Sequence, residues 1–284
     1  MAKGAGTQEN PYIVTNVAEF REACTQLNAY VKLANNIDCD EYPEWDTLNC
    51  SCAEVDFDGK SLKKMYIQQN QIGLSSGYEG YISTITLFKN GKILDMYEKN
   101  AKAFLQGGRY VNMSLSIYEA TSQHIIKGSF MELCNTSIYA HRLSYPRNSW
   151  FKQYSRRDLL KNSHFYIEGR MDAGQVASPY GYSSSADDKY IQGCSFEGRL
   201  NCSNAEGGIV FLGGSITDTV WAVDTTTVPD AIGTALADAA DATNIYQNDI
   251  CASTFDAKNA LQGNTEEIRD PGYNNSIGFT VVKK

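Results

Sequence analysis

The residues able to do chemistry are few and scattered. Histidine occurs three times in the 284-residue chain, at His124, His141 and His164. Measured against the repeat described below, the three fall at different phases. They therefore do not line up as metal ligands or as a catalytic triad. Cys50-Ser51-Cys52 is the nearest approach to a metal half-site, because a strand puts both thiols on one face. No second cysteine pair or nearby histidine completes a set of four ligands. Paired carboxylates are the machinery of glycoside hydrolysis. The candidates are Asp172, Asp187, Asp188, Glu197, Asp218 and Asp224. Glu197 and Asp218 come nearest to sharing a site, but they too differ in phase, and solvated turn residues are the plainer reading. The sequence holds no Gly-x-Ser-x-Gly, His-Glu-x-x-His or phosphate-loop signature. The expectation is a protein that is not an enzyme and carries no cofactor or metal.

Binding is better represented. Between His141 and Arg157 lie Arg142, Arg147, Lys152, Arg156 and Arg157, with no acidic residue among them. Tyr145, Trp150, Phe151 and Tyr154 are interleaved. In a chain of net charge -8 this is a basic, aromatic island. Arginine and large aromatics dominate protein interfaces, so a contact between subunits or with an acidic neighbour is the first reading. Aromatics also stack on sugars, which makes glycan binding the second. The third is an aromatic-rich loop folded onto its own strands. Tyr180 and Tyr182 sit in a Gly-, Ser- and Tyr-rich stretch, 172–189, of the composition found in adaptable binding loops. The acidic, Ala-rich stretch 224–243 lacks the ligand spacing of a calcium loop.

These residues need a frame, and composition narrows it. Hydrophobic residues make up 42% and charged residues 20%, with 18 Tyr and only 6 Pro. That balance disfavours coiled coils and long disorder and points to an all-β chain with many turns. The acidic charge argues against a nucleic-acid coat. No apolar run reaches the roughly 18 residues that signal a membrane span. Met1-Ala2-Lys3-Gly4-Ala5-Gly6 leads straight into polar residues, which predicts no secretory leader, and most of the eight cysteines are expected to be reduced, buried thiols. Asn16-Val17-Ala18-Glu19 is a capping-box pattern and predicts a helix over about 17–28, using Phe20, Cys24 and Leu27 as its apolar face. Strand-like pieces follow at 30–33 and 37–39. Near the end, a helical turn at 265–268 and a strand at 277–282 are expected.

Between these ends one pattern recurs: apolar, two variable, small or Met, one variable, apolar. It starts at Leu62, Ile93, Val111, Leu133, Leu160, Ile191, Ile216 and Ile245. Intervals averaging about 26 residues suit one coil of a right-handed parallel β-helix with side loops of unequal length. A β-sandwich is the alternative. The expected layout is one domain, with an N-terminal cap over 1–40, coils over 41–262 and a C-terminal cap over 263–284.

Three segments also look familiar as a set: Gly6 to Val14, Tyr30 to Asp38, and Asp56 to Ile67. They resemble the start of bacterial and bacteriophage parallel β-helix proteins with GLUG-like repeats. Thr265 to Phe279 resembles how such phage proteins finish. The resemblance implies a tailed-phage virion protein such as a head fibre, capsid decoration or tail fibre. Such a protein is assembled in the host cytoplasm and is typically a homotrimer. Its partners would be itself, other capsid or tail proteins and a host-surface glycan, without nucleic acid or membrane insertion. β-Helices also serve as carbohydrate-binding and polysaccharide-cleaving proteins, so fold does not fix role.

Overall fold

The computed structural model describes residues 2–42, 44–76, 85–98, 103–119, 126–145, 151–171, 189–192, 194–202, 215–225 and 241–247. Its only α-helix among these, α1 (Val17–Cys24), starts where the sequence predicts. Asn16 caps it by accepting the Glu19 N–H at 2.9 Å, a contact worth about 1 kcal/mol. Glu19 returns the favour one residue further back than a standard capping box. Its carboxylate accepts from the Thr15 N–H and from the Thr15 hydroxyl, each at 2.9 Å, and these bonds hold its pKa below the usual carboxylate value. The helix ends at Cys24, four residues before the predicted boundary. Leu27, expected on its apolar face, lies beyond it and is 68% exposed. Val17, Phe20, Ala23 and Cys24 form the buried face instead.

Everything else that is regular among the described residues is strand, apart from a 3-10 turn at Cys39–Glu41. The first strands are short: β1 (Tyr12–Val14), β2 (Tyr30–Leu33), β3 (Ile37–Asp38), β4 (Leu48–Cys50), β5 (Glu54–Asp56), β6 (Ser61–Lys63), β7 (Tyr66–Ile67) and β8 (Ile72–Ser76). Longer ones follow: β9 (Leu87–Glu98), β10 (Ala103–Glu119), β11 (Ile126–Cys134), β12 (Ser137–Tyr145), β13 (Phe151–Lys161) and β14 (His164–Met171). The last are β15 (Lys189–Gln192), β16 (Ser195–Cys202), β17 (Ser215–Thr225) and β18 (Asp241–Gln247). All named pairings between these strands are parallel and belong to one curled sheet. The chain is therefore all-β with a single described helix. Consecutive strands do not form hairpins. β11 pairs with β13 and β12 with β14, so the chain returns one full repeat later to pair with itself.

The register lines like residues up in columns. One column runs Val31, Val55, Phe88, Tyr110, Leu133, Leu160, Ile191, Ile216 and Ala242. A second runs Ile37, Leu62, Ile93, Leu115, Ile138, Phe165, Phe196 and Trp221. From Val31 to Leu160 and from Ile37 to Phe165 every member is at most 2% exposed. A third column is Leu48, Leu74, Leu105 and Ile126. From Val31 to Leu160 and from Ile37 to Phe165 each apolar side chain thus rests on its counterpart in the neighbouring strand, which buries area twice over, from above and from below.

The expected repeat has the observed register at Leu133, Leu160, Ile191 and Ile216. It is one residue late at Val111, since Tyr110 holds that position, and three late at Ile245, where Ala242 does. Leu62 and Ile93 belong to the second column rather than the first. The residues expected to form the C-terminal cap, with its helical turn and strand, lie outside the described residues.

The corner between the first two columns has its own chemistry. Asn90, Asn112, Asn135 and Asn162 take left-handed φ values of 59°, 54°, 46° and 48°, which asparagine tolerates better than most residues. Their amides form a ladder: Asn135 donates to Asn112 at 3.2 Å and Asn112 to Asn90 at 3.1 Å. The residue after each asparagine is buried: Gly91, Met113, Thr136 and Ser163. Thr136 donates its hydroxyl to the Tyr110 carbonyl at 3.0 Å, and Ser163 to that of Leu133 at 3.1 Å. Carbonyls left over at the bend are satisfied in this way. Replacing Asn112 by alanine should cost about 2 kcal/mol, from a strained φ and two lost hydrogen bonds. Asn112→Gly should recover roughly half of that by relieving the backbone alone. Urea midpoints of the two variants check the split.

Tyr110 brings a polar group into the core. Tyr110 is fully buried and its ring stacks on Phe88 at 5.1 Å, yet its hydroxyl has no hydrogen-bond partner. Burial pushes its pKa well up. Tyr110→Phe keeps the stack and removes the orphan, so the variant should gain about 1 kcal/mol in denaturant unfolding.

Candidate interaction surfaces

The basic, aromatic island is divided by the strand pairing. Arg142 and Tyr145 lie on β12, which pairs with β10 and β14. Phe151, Tyr154, Arg156 and Arg157 lie on β13, which pairs with β11 and β15. Arg142 falls in the register shift between Ala140 and Leu143. Tyr154 and Arg156 fall in the one that faces Gly128 to Phe130. Phe151 pairs in register with Ile126, the last residue of the third column. Arg147 and Trp150, and also Tyr180 and Tyr182, lie outside the described residues. Among the carboxylates, Glu197 pairs with Ala222, four residues past Asp218, so the register does not set those two opposite each other. Asp172, Asp187 and Asp188 are outside the described residues.

The pairing also creates a surface that sequence reading misses. Tyr66 lies opposite Tyr97 across β7 and β9, and the Tyr97 ring is 5.2 Å from that of Tyr118. Tyr66 is 45% exposed, and the other two are half-buried. Polar groups border this row. Lys64 pairs with Asp38 at 3.1 Å and with Asp40. Burial pushes the Tyr97 phenol up, and the Asp95 carboxylate adds to the shift. The three tyrosines are far apart in sequence, and only the strand register makes them neighbours.

Elsewhere the outer face carries ion pairs across adjacent strands. Lys89 bridges Glu54 at 2.8 Å and Asp56 at 3.7 Å, and Arg109 reaches Glu132 at 2.8 Å. Exposed pairs of this kind contribute under about 1 kcal/mol each. The Arg21 guanidinium is held more firmly. It lies over the Tyr42 and Trp45 rings at 4.6 and 4.7 Å and pairs with Asp46 at 2.6 Å. Trp45 is fully buried and donates its indole N–H to the Gly73 carbonyl at 2.7 Å. This cluster fastens α1 to the first strands.

Cys24, Cys39, Cys50, Cys52, Cys134 and Cys194 are free thiols, and all but Cys134 are buried. Burial raises Cys39 to about 12 and Cys134 to about 11. His164 is 2% exposed and packs near the Tyr139 ring. Among the described residues no cluster of His, Cys, Asp and Glu is arranged to hold a metal ion, and no helix is long and apolar enough to cross a membrane.

No family model matches the chain, and no curated protein does. Among solved structures it is similar to the crystal structure of a "putative immunoglobulin A1 protease" from Bacteroides ovatus. The identity is 13% and the TM-score 0.47, over 87% of this chain and 78% of that one. A likeness at this level carries no argument about activity.

Proposed function

We propose that the chain winds as a right-handed parallel β-helix and serves as a non-enzymatic structural protein of a tailed-phage virion. Its place is a surface fibre or decoration on capsid or tail, as a homotrimer in contact with other virion proteins. The observation that supports this reading is the unbroken column from Val31 to Ala242. Parallel self-pairing at every repeat makes a stiff body whose length grows with each added repeat. The resemblance of the first 70 or so residues to phage β-helix proteins supplies the setting. Mass by light scattering and copurification with particles test it. A trimer that cosediments with capsids or tails is expected, and a monomer absent from particles would overturn it.

A second reading is carbohydrate binding, favoured by the row Tyr66, Tyr97 and Tyr118 with its polar border. Sugar rings offer an apolar face and polar edges, which such a row matches. A glycan array on the wild type and on Tyr66→Ala compares the row with the basic island, for which Trp150→Ala and Tyr154→Ala are the counterparts.

A further inference from the structure

Three thiols meet beneath the N-terminal helix. Cys24 is the last residue of α1, Cys50 is the last of β4, and Cys52 lies in the link from β4 to β5. All three are at most 4% exposed. The Cys24 carbonyl accepts from the Ser51 N–H at 2.8 Å and from the Cys52 N–H at 3.2 Å. A carbonyl bonded to the amide of the partner residue holds the two Cα atoms within the ~7 Å that a disulfide spans. Burial pushes the Cys24 thiol well up, and the neighbouring Cys50 and Cys52 thiols add to the shift. Their own hydrogens are directed elsewhere. Cys50 faces the Leu48 carbonyl at 3.8 Å, and Cys52 faces the Thr86 hydroxyl at 3.9 Å.

We propose that Cys24 and Cys52 form a disulfide that staples the capping helix to the sheet when the chain meets a small-molecule disulfide, with Cys50 as the neighbouring thiol that remains reduced. The choice of Cys52 follows from the direct backbone bond between its amide and Cys24. The chemistry is ordinary exchange. The Cys52 thiolate attacks one sulfur of glutathione disulfide and releases one glutathione. The Cys24 thiolate then attacks the Cys52 sulfur of the mixed disulfide and releases the second. Each cysteine gives up one proton, and the electron pair passes to glutathione. Access comes during folding or through local opening of the cap. Once closed, the bond is shielded from reductant, because its sulfurs sit in the core.

The bond closes the loop from Cys24 to Cys52, which contains β2, β3 and β4, so it lowers the entropy of the unfolded chain. The effect to read is a rise of several degrees in the Tm of the cap, seen only after oxidation.

The full chain, reduced and then either held native or refolded in a glutathione redox buffer, tests this. Free thiols are alkylated, the protein is digested without reduction, and linked peptides are read by mass. A Cys24–Cys52 peptide lighter by two hydrogens, with alkylated Cys50, is expected in at least the refolded arm. Cys24→Ala should abolish the link and the Tm rise, while Cys50→Ala should leave both. Alanine removes only the sulfur from the small buried site, and circular dichroism verifies that each variant is folded. Failure of any Cys24 link to form in both arms would overturn the proposal. So would a dominant Cys24–Cys50 link, or a Tm rise that survives in Cys24→Ala.

Discussion

Gly91→Ala is expected to cost at least about 3 kcal/mol, seen as a large fall in the urea midpoint or as insoluble protein. A Cβ at Gly91 would lie 2.1 Å from the Phe57 Cβ and 2.6 Å from the Lys60 carbonyl oxygen. Neither neighbour can step aside. Phe57 is fully buried and its N–H bonds the Lys89 carbonyl at 2.9 Å, while the Lys60 carbonyl accepts the Lys92 N–H at 3.1 Å. The clash falls on backbone tied to the same two layers on both sides. The cause is the corner itself. Gly91 holds the inward place that Met113, Thr136 and Ser163 hold in later layers, and here Phe57 of the layer before fills the space. Gly59→Ala is the control. Gly59 has φ 74° but nothing within 4 Å of its Cβ, so that variant should lose only about 1 kcal/mol.

Phe165→Ala should cost about 3–5 kcal/mol, because it empties a fully buried place in a continuous column. Ile138 precedes Phe165 in that column and Phe196 follows it, so the cavity has strand backbone fixed on both sides and little room to collapse. Phe165→Leu refills most of the volume and should cost about 1 kcal/mol. Denaturant unfolding followed by far-ultraviolet circular dichroism checks both. Equal effects from the two variants would mean that Phe165 is not packed as described.

The corner explains how far the sequence could be read. From Leu133 onward, two column residues are always five positions apart, with a left-handed residue and a buried one between them where φ is described, as at Asn135-Thr136 and Asn162-Ser163. Such a fixed unit is visible as a pattern. Earlier, the same unit occurs at a second corner. Lys64 and Asp95 have φ of 57° and 53°, and Met65 and Met96 after them are buried. The pattern therefore fits Leu62 and Ile93 at the wrong corner. At the first corner, between Val55 and Leu62, Asp58-Gly59 adds two residues, and the unit is disguised. The helix start was legible because a cap is local chemistry. Its end was not, since Leu27 continues the helical spacing although the chain has already turned.

The surfaces were less legible, for a related reason. The residues from 141 to 157 read as one island because they are consecutive. Strand pairing instead assigns Arg142 to one ladder and Arg157 to another. Conversely, Tyr66, Tyr97 and Tyr118 are strangers in sequence and neighbours in space. A surface built from one residue per layer needs the register before it can be seen.

That register is the central claim, and pulsed electron resonance between spin labels tests it directly. Labels carried on unnatural amino acids leave the eight cysteines untouched. Lys32 and Lys161 are joined by the row Asp56, Lys89, Val111 and Cys134, and the row continues through Gln192 to Thr217. At about 4.8 Å per strand, labels at 32 and 161 should lie ~24 Å apart, and labels at 32 and 217 ~34 Å apart. A separation that grows by about 10 Å between the two pairs supports stacked parallel layers. Equal distances, or a shorter one for the second pair, would contradict them.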